Sequence, residues 1–326
     1  MKKLLTATAL TSVLFAGAAV SDVKVGGNVE WTYNSISYDK AASETSGSRG
    51  FGSEENFNIT YTGELNNGMA VKAYVGLEDG SSNESYTSIT SGGTTVLWGI
   101  DAGPNSKGDF VPLAGDSLAD ASGQASSYKY ENAQLAKAVH DANHISLEQK
   151  FEGGSVYVNY APALDNSASD SAAPTTTSGS GTEIGASFTV EGLKIVAGRE
   201  TGRNLNDSDS TTSDLTDTVL AASYNFGNIA VGYQQRTLDD GTASNSDTKM
   251  TTLGVTYAAN DNMTVGLQLT KSDKDGSTND EEGQAITIGY SLGAMAVQAT
   301  YTQIDNVGYA ANDDVDAIQI RTLTKF

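Results

Sequence analysis

The residues best placed to do chemistry fall in and around one stretch of the chain. Gly115-Asp116-Ser117-Leu118 spells the GDSL of a serine-hydrolase nucleophile, and Asp141-Ala142-Asn143-His144 spells a D-x-x-H partner about 25 residues later. Nucleophilic catalysis needs the hydroxyl held beside a base, and the base oriented by a third group. These residues lie amid hairpin patterns with no strand-helix-strand crossover to carry such a triad. The match therefore reads as chance in a Ser- and Asp-rich loop, and no catalytic residue is assigned. His140 and His144 stand at helical spacing, but two imidazoles fall short of the three or four ligands a zinc site takes, so no metal is assigned. The run "DKDGSTNDEE" (273–282) gathers carboxylates around a glycine without the register of an EF-hand. It reads as a solvated acidic loop, with weak Ca²⁺ or Mg²⁺ binding as the functional alternative. No other cofactor is expected.

Charge and composition narrow the classes further. Among 326 residues, 40 are acidic and 19 basic, giving a net charge of −21 and no footprint for a nucleic-acid backbone. Cysteine is absent, so there is neither disulfide nor thiolate metal site. The opening "MKKLLTATALTSVLFAGAAV" has a basic end, a short apolar run and small residues at a cleavage position, which predicts an export signal over 1–19. Its removal takes Lys2 and Lys3 away and leaves a charge of about −23 on an exported chain. No apolar run of transmembrane-helix length follows, but membrane-crossing strands carry only alternate apolar residues and escape that criterion.

The elements that must position all this are strands. In "DVKVGGNVEWTYN" (22–34), Val23, Val25, Val29, Trp31 and Tyr33 alternate with Asp22, Lys24, Asn28, Glu30 and Thr32, a period of two. The pattern returns in "FNITYTGELNNGMAVKAYVGLEDG", turning at Asn66-Asn67-Gly68. It returns again in hairpins over 144–161, 183–200, 218–236, 250–269 and 285–303, and in the last strand "DAIQIRTLTKF". Long polar loops separate them, beginning with "SYDKAASETSGSRGFGSEE" (37–55). Short turns thus alternate with long loops, as in outer-membrane barrels, where turns face the periplasm and loops face outward. The count is about sixteen strands, or about fourteen if the poorly alternating "ESYTSIT" is not one. Phe151, Tyr224, Phe226, Tyr257, Tyr290 and Phe326 lie toward the short turns and Tyr33, Tyr160, Tyr233 and Tyr301 toward the loops, two bands suited to two membrane interfaces. The expected fold is an all-β antiparallel up-and-down transmembrane barrel over 20–326. Its lumen is too wide for side chains to fill, with the polar face lining water and the apolar face in lipid.

The first strand, the hairpin after it, the "GGTTVLWGIDAG" strand before a long insertion and the terminal Phe together resemble the general porins of Gram-negative bacteria, of the alphaproteobacterial type. The resemblance covers residues 20–326 as architecture. It implies a homotrimer in outer-membrane lipid and lipopolysaccharide, passage of small hydrophilic solutes, and a third loop (102–143) folded into the pore and narrowing it. It also implies that Phe326 belongs to the signal read by the barrel-assembly machinery. Two features depart from the family pattern. Gly99 is followed by Ile100 and Asp101 rather than a basic residue, and the acidic-aromatic-Gly-Gly loop motif is not recognisable.

On this frame Lys24, Lys72 and Arg321 share the polar parity of neighbouring strands and form a basic pore wall, while Asp109, Asp116 and Asp120 sit on the constriction loop. Wall and loop would set a transverse field, and the acidic excess predicts a modest cation preference. Two other classes share the sequence features: a secreted all-β surface protein such as an adhesin or surface-layer subunit, and an outer-membrane hydrolase barrel acting through Ser117.

Overall fold

The computed structural model describes residues 21–40, 43–79, 81–106, 108, 110–115, 118, 139–162, 179–203, 214–239 and 247–326. The expected signal over 1–19 lies outside them. Alternation along the chain becomes sidedness in space. Sixteen strands follow in order: β1 (Ser21–Lys40), β2 (Ser43–Glu64), β3 (Ala70–Glu78), β4 (Ser81–Ser91), β5 (Thr94–Ile100), β6 (His144–Phe151), β7 (Gly154–Ala161) and β8 (Gly181–Val190). The second half comprises β9 (Leu193–Arg203), β10 (Asp214–Phe226), β11 (Ile229–Asp239), β12 (Thr248–Asn260), β13 (Met263–Lys274), β14 (Glu281–Ser291), β15 (Met295–Asp305) and β16 (Asp314–Lys325). Each pairs antiparallel with its sequence neighbour, and β16 returns to β1, so the sheet is a closed barrel.

Closure removes free sheet edges and gives every strand one outward and one inward face. The outward face carries Leu253, Leu267, Ile286, Ile288, Ile318 and Ile320, all exposed. The alternate positions Thr252, Gln268, Thr287, Thr300 and Gln319 point inward and are buried. A water-facing sheet would have the reverse arrangement, and an apolar belt of this extent is stable only in lipid. The aromatic residues of both expected bands other than Tyr33 are exposed on the outward face, with Tyr224 and Phe226 stacked at 5.9 Å.

The seam is tied by the last residue. Phe326 N donates to Gly27 O at 3.1 Å, and Gly27 N donates back to Phe326 O at 3.2 Å. A Cβ at residue 27 would lie 2.8 Å from the Phe326 ring and 2.2 Å from Asn56 O, so only glycine fits the closing pair. At the β2–β3 turn, Gly68 takes φ 81°, the left-handed region that glycine enters without steric cost.

The weak strand is real, as β4, so the count stands at the expected sixteen. What changes is the pattern of connections. The stretch 37–55, expected as a polar loop, is mostly strand: β1 and β2 run on as a long hairpin, pairing from Val29↔Glu55 to Tyr38↔Ser46. Residues 47–53 are exposed on both faces, with Phe51 at 83%. A ribbon wet on both sides has no buried face to impose alternation, so its Ser- and Gly-rich sequence looks like loop although its backbone is paired. With β3 and β4 joined across 79–80, the long-and-short sorting of connections begins only after β5.

A candidate pore site: the segment seated inside the barrel

Between β5 and β6 lie residues 101–143, of which 101–106, 108, 110–115, 118 and 139–143 are described and stand outside the strands. Its described residues rest on inward-facing side chains, and the sequence explains how they can come so close. One wall carries glycine at inward positions on β9, β11, β12, β13 and β14. A Cβ at Gly198 would lie 2.3 Å from Ser106 Cβ, at Gly232 2.5 Å from Pro112 Cδ, and at Gly254 2.6 Å from Pro112 O. At Gly266 it would lie 2.7 Å from Ala114 Cβ, and at Gly289 2.6 Å from Ala114 O. Real Cβ atoms do not approach so closely, so these glycines form a shallow track in which Ser106, Val111, Pro112 and Ala114 lie.

Side chains beside the track satisfy the segment's backbone, which has no strand partner of its own. Ser106 N donates to Glu183 Oε1 at 2.5 Å, Phe110 N to Gln234 Oε1 at 2.7 Å, and Leu118 N to Gln268 Oε1 at 2.8 Å. Val139 N donates to Glu200, where the segment returns. In the other direction, Arg236 Nη2 donates to Ser106 O at 2.7 Å, Asn159 Nδ2 to Pro104 O at 2.7 Å and Gln234 Nε2 to Gly108 O at 3.3 Å. Arg236 is buried, and its other arm donates to Asp217 Oδ2 at 2.7 Å, which balances the charge in the wall.

The inward face is accordingly not polar throughout, as sequence alternation implied. Met250, Ala285, Ile304 and Val315 point inward and bury Leu118 completely. Where the segment covers the wall, apolar residues gain from burial; elsewhere polar ones meet water.

The expected site residues separate. Asp109, Asp116 and Asp120 lie outside the described residues, as does Ser117. Lys72 faces the lumen, with its ammonium 5.1 Å from the Tyr86 ring centroid and 5.9 Å from that of Tyr74. Those two rings stack at 5.3 Å, an inward aromatic pair that sequence parity did not single out. Arg321 is paired with Glu30 across the β1–β16 seam. Lys24, toward the short-turn end, lies 3.6 Å from Asp22 and is well exposed. The wall groups that hold the segment, Glu183, Glu200, Asp217, Gln234, Arg236 and Gln268, were not anticipated.

Two of the hydrolase-like residues, Leu118 and His144, have structural roles. Leu118 is the buried anchor just described. His144 Nδ1 lies 2.9 Å from Ala142 O and Nε2 3.0 Å from Ala102 O, so the ring joins the two ends of the inner segment. Both of its nitrogens are engaged, so the pairing of His140 with His144 on one metal does not form. In the acidic run 273–282, Lys271 Nζ lies 2.6 Å from Asp280 Oδ2 and 2.8 Å from Glu282 Oε1, and Glu281 accepts Gly308 N. There the last outer connection folds back, with Tyr309 Oη 2.8 Å from Ser272 Oγ. Burial pushes the Tyr309 phenol above its usual value.

A closed sixteen-stranded barrel, apolar outside and with a chain segment along its inner wall, is the form of a membrane channel. The chain belongs to the Gram-negative porin family, whose model matches residues 6–309, and the family and fold together make it an outer-membrane channel. Its fold is similar to that of a mutant of the Rhodobacter blastica porin, with TM-score 0.62 and 17% identity over 94% of this chain and 100% of the other. It is similar as well to outer-membrane-expressed OmpT of Vibrio cholerae, with TM-score 0.61 and 14% identity over 94% and 98%. No curated protein matches the chain in sequence.

Proposed function

We propose that the protein is a water-filled diffusion channel for ions and small hydrophilic solutes, modestly cation-preferring, with its narrowest part set by the 102–143 segment. The observation that carries this reading is the seating of residues 104–106, 108, 110–115 and 118 on the inward wall of a closed barrel. A segment fixed that way takes up lumen cross-section, and the reading is that it narrows the channel without closing it. In this reading the signal over 1–19 is removed on export and three copies assemble in the outer membrane. Phe326, at the seam, is part of what the assembly machinery reads. The acidic outer loops meet lipopolysaccharide, with weak Ca²⁺ or Mg²⁺ bridging.

Cation preference follows from the acidic excess, acting most strongly at low salt, where screening is weakest. Asp109, Asp116 and Asp120 supply the acidic side and Lys72, Lys24 and Arg321 the basic side, each of the three with a carboxylate nearby: Glu84, Asp22 and Glu30. Liposome-swelling rates in sugars of increasing size, with reversal potentials across a salt gradient, test the proposal. Rates should fall steeply with solute size, and cations should carry more of the current. Asp109→Asn with Asp116→Asn should reduce that preference, and Lys72→Gln should raise it. Saturable flux of one solute, or an anion-selective wild type, would overturn the reading.

A further inference from the structure

We propose that Asp101, His140 and Asp141 form a binding site for a borderline divalent cation of the Zn²⁺ class at the stem of the inner segment. The sequence gives no warning of it, because Asp101 ends one arm of the stem and His140 and Asp141 end the other. The fold brings them together. His140 Nδ1 lies 3.0 Å from Asp101 Oδ1 and 3.9 Å from Asp141 Oδ1, and the three donor groups all lie within 4.8 Å of one another. Ligands about 2.0–2.1 Å from a tetrahedral zinc stand ~3.3 Å apart. The two separations from Nδ1 bracket that value, so small side-chain rotations would place all three groups around one ion.

The donor chemistry selects the class. One imidazole with two carboxylates is a mixed nitrogen–oxygen set, which suits zinc and its late first-row neighbours. Calcium and magnesium prefer six or more oxygen ligands, or a shell retaining several waters. The charge agrees: two carboxylates face one imidazole, and a divalent ion neutralises both when the imidazole is neutral. All three side chains are partly exposed, so water can complete the coordination and the ion has a way in.

The stem is held before any ion arrives. Asp101 N donates to His140 O at 2.9 Å, and beneath it the His144 ring spans Ala102 O and Ala142 O. An ion here would join the two ends of the inner segment and add positive charge to the lumen wall, where Glu84 of β4 also interacts with Asp101 and His140. It would therefore reduce cation conductance as well as bind.

The test uses the purified full-length mature protein in detergent, titrated with Zn²⁺ alone by calorimetry and with Co²⁺ followed by visible absorption. Saturable binding of one Zn²⁺ per chain is expected, with intense Co²⁺ bands of low-symmetry coordination. His140→Gln and Asp101→Asn should each weaken Zn²⁺ at least tenfold and leave any Ca²⁺ binding unchanged. Heat-dependent migration on a gel confirms that each variant is folded, and Asp141→Asn replaces either one that is not. These readouts do not depend on conduction, so they can fail while the channel reading stands, and the reverse. No saturable Zn²⁺ binding, equal affinity in the folded variants, or displacement of Zn²⁺ by equimolar Ca²⁺ would overturn the proposal.

Discussion

At the scale of single residues, the inner segment is held by contacts that leave little slack, and substitutions there should act on the pore. Gly254→Ala puts a methyl 2.6 Å from Pro112 O and 2.8 Å from Val111 Cβ, an overpacking of the kind that costs about 1–3 kcal/mol unless the segment moves. Movement away from the wall is movement into the lumen, so the variant should assemble normally and conduct less. Gly50→Ala, where nothing lies within 4 Å, should change neither property. Arg236→Met should destabilise the barrel by roughly 3–5 kcal/mol, because it leaves Asp217 buried without its counter-charge. Adding Asp217→Leu should recover most of that loss, read as the denaturant midpoint; a double variant as unstable as the single would contradict the pairing. Little of this seat was legible in the sequence. A period of two says which face a residue is on, but not what covers that face. Glu183, Gln234 and Gln268 look like any polar lumen residue until a segment more than seventy positions away along the chain lies on them. The signal available was the glycine recurring at inward positions on β9, β11, β12, β13 and β14, in strands otherwise rich in larger residues.

At the scale of elements, hairpins were legible wherever one face meets lipid, because the two environments force alternation. The long β1–β2 hairpin was not, since both sides of residues 47–53 are exposed. β4 was doubtful because Ser85, Thr87 and Ile89, one parity of its sequence, are not uniformly apolar. The turns and outer connections give an orientation that can be checked cleanly, because the chain has no cysteine of its own. Ser277→Cys, in the connection after β13, should react with an impermeant maleimide on intact cells. Asn228→Cys, in the two-residue turn between β10 and β11, should react only after the outer membrane is opened. The opposite pattern would invert the barrel.

At the scale of the whole molecule, the class was legible because closure, an apolar exterior and a largely polar interior all leave the same mark of alternation, and the expected export signal and the acidity agreed with it. The inner segment was less so. Asp109, Asp116 and Asp120 were inferred from their place in a family-like loop, whereas the described part of the segment is seated by residues of β7–β9 and β11–β16, a feature of three-dimensional neighbourhood. The assembled protein should extract only with detergent and give a β-rich circular dichroism spectrum. It should also migrate as a heat-sensitive oligomer, whereas a soluble, monodisperse monomer without detergent would contradict the membrane barrel. The central claim is that the barrel is open to water past its inner segment. The most direct measurement is the current across a planar bilayer after adding purified protein. The account predicts discrete, long-lived steps of uniform size whose conductance rises with salt concentration and falls in Gly254→Ala. Insertion of folded protein without conductance steps would contradict it.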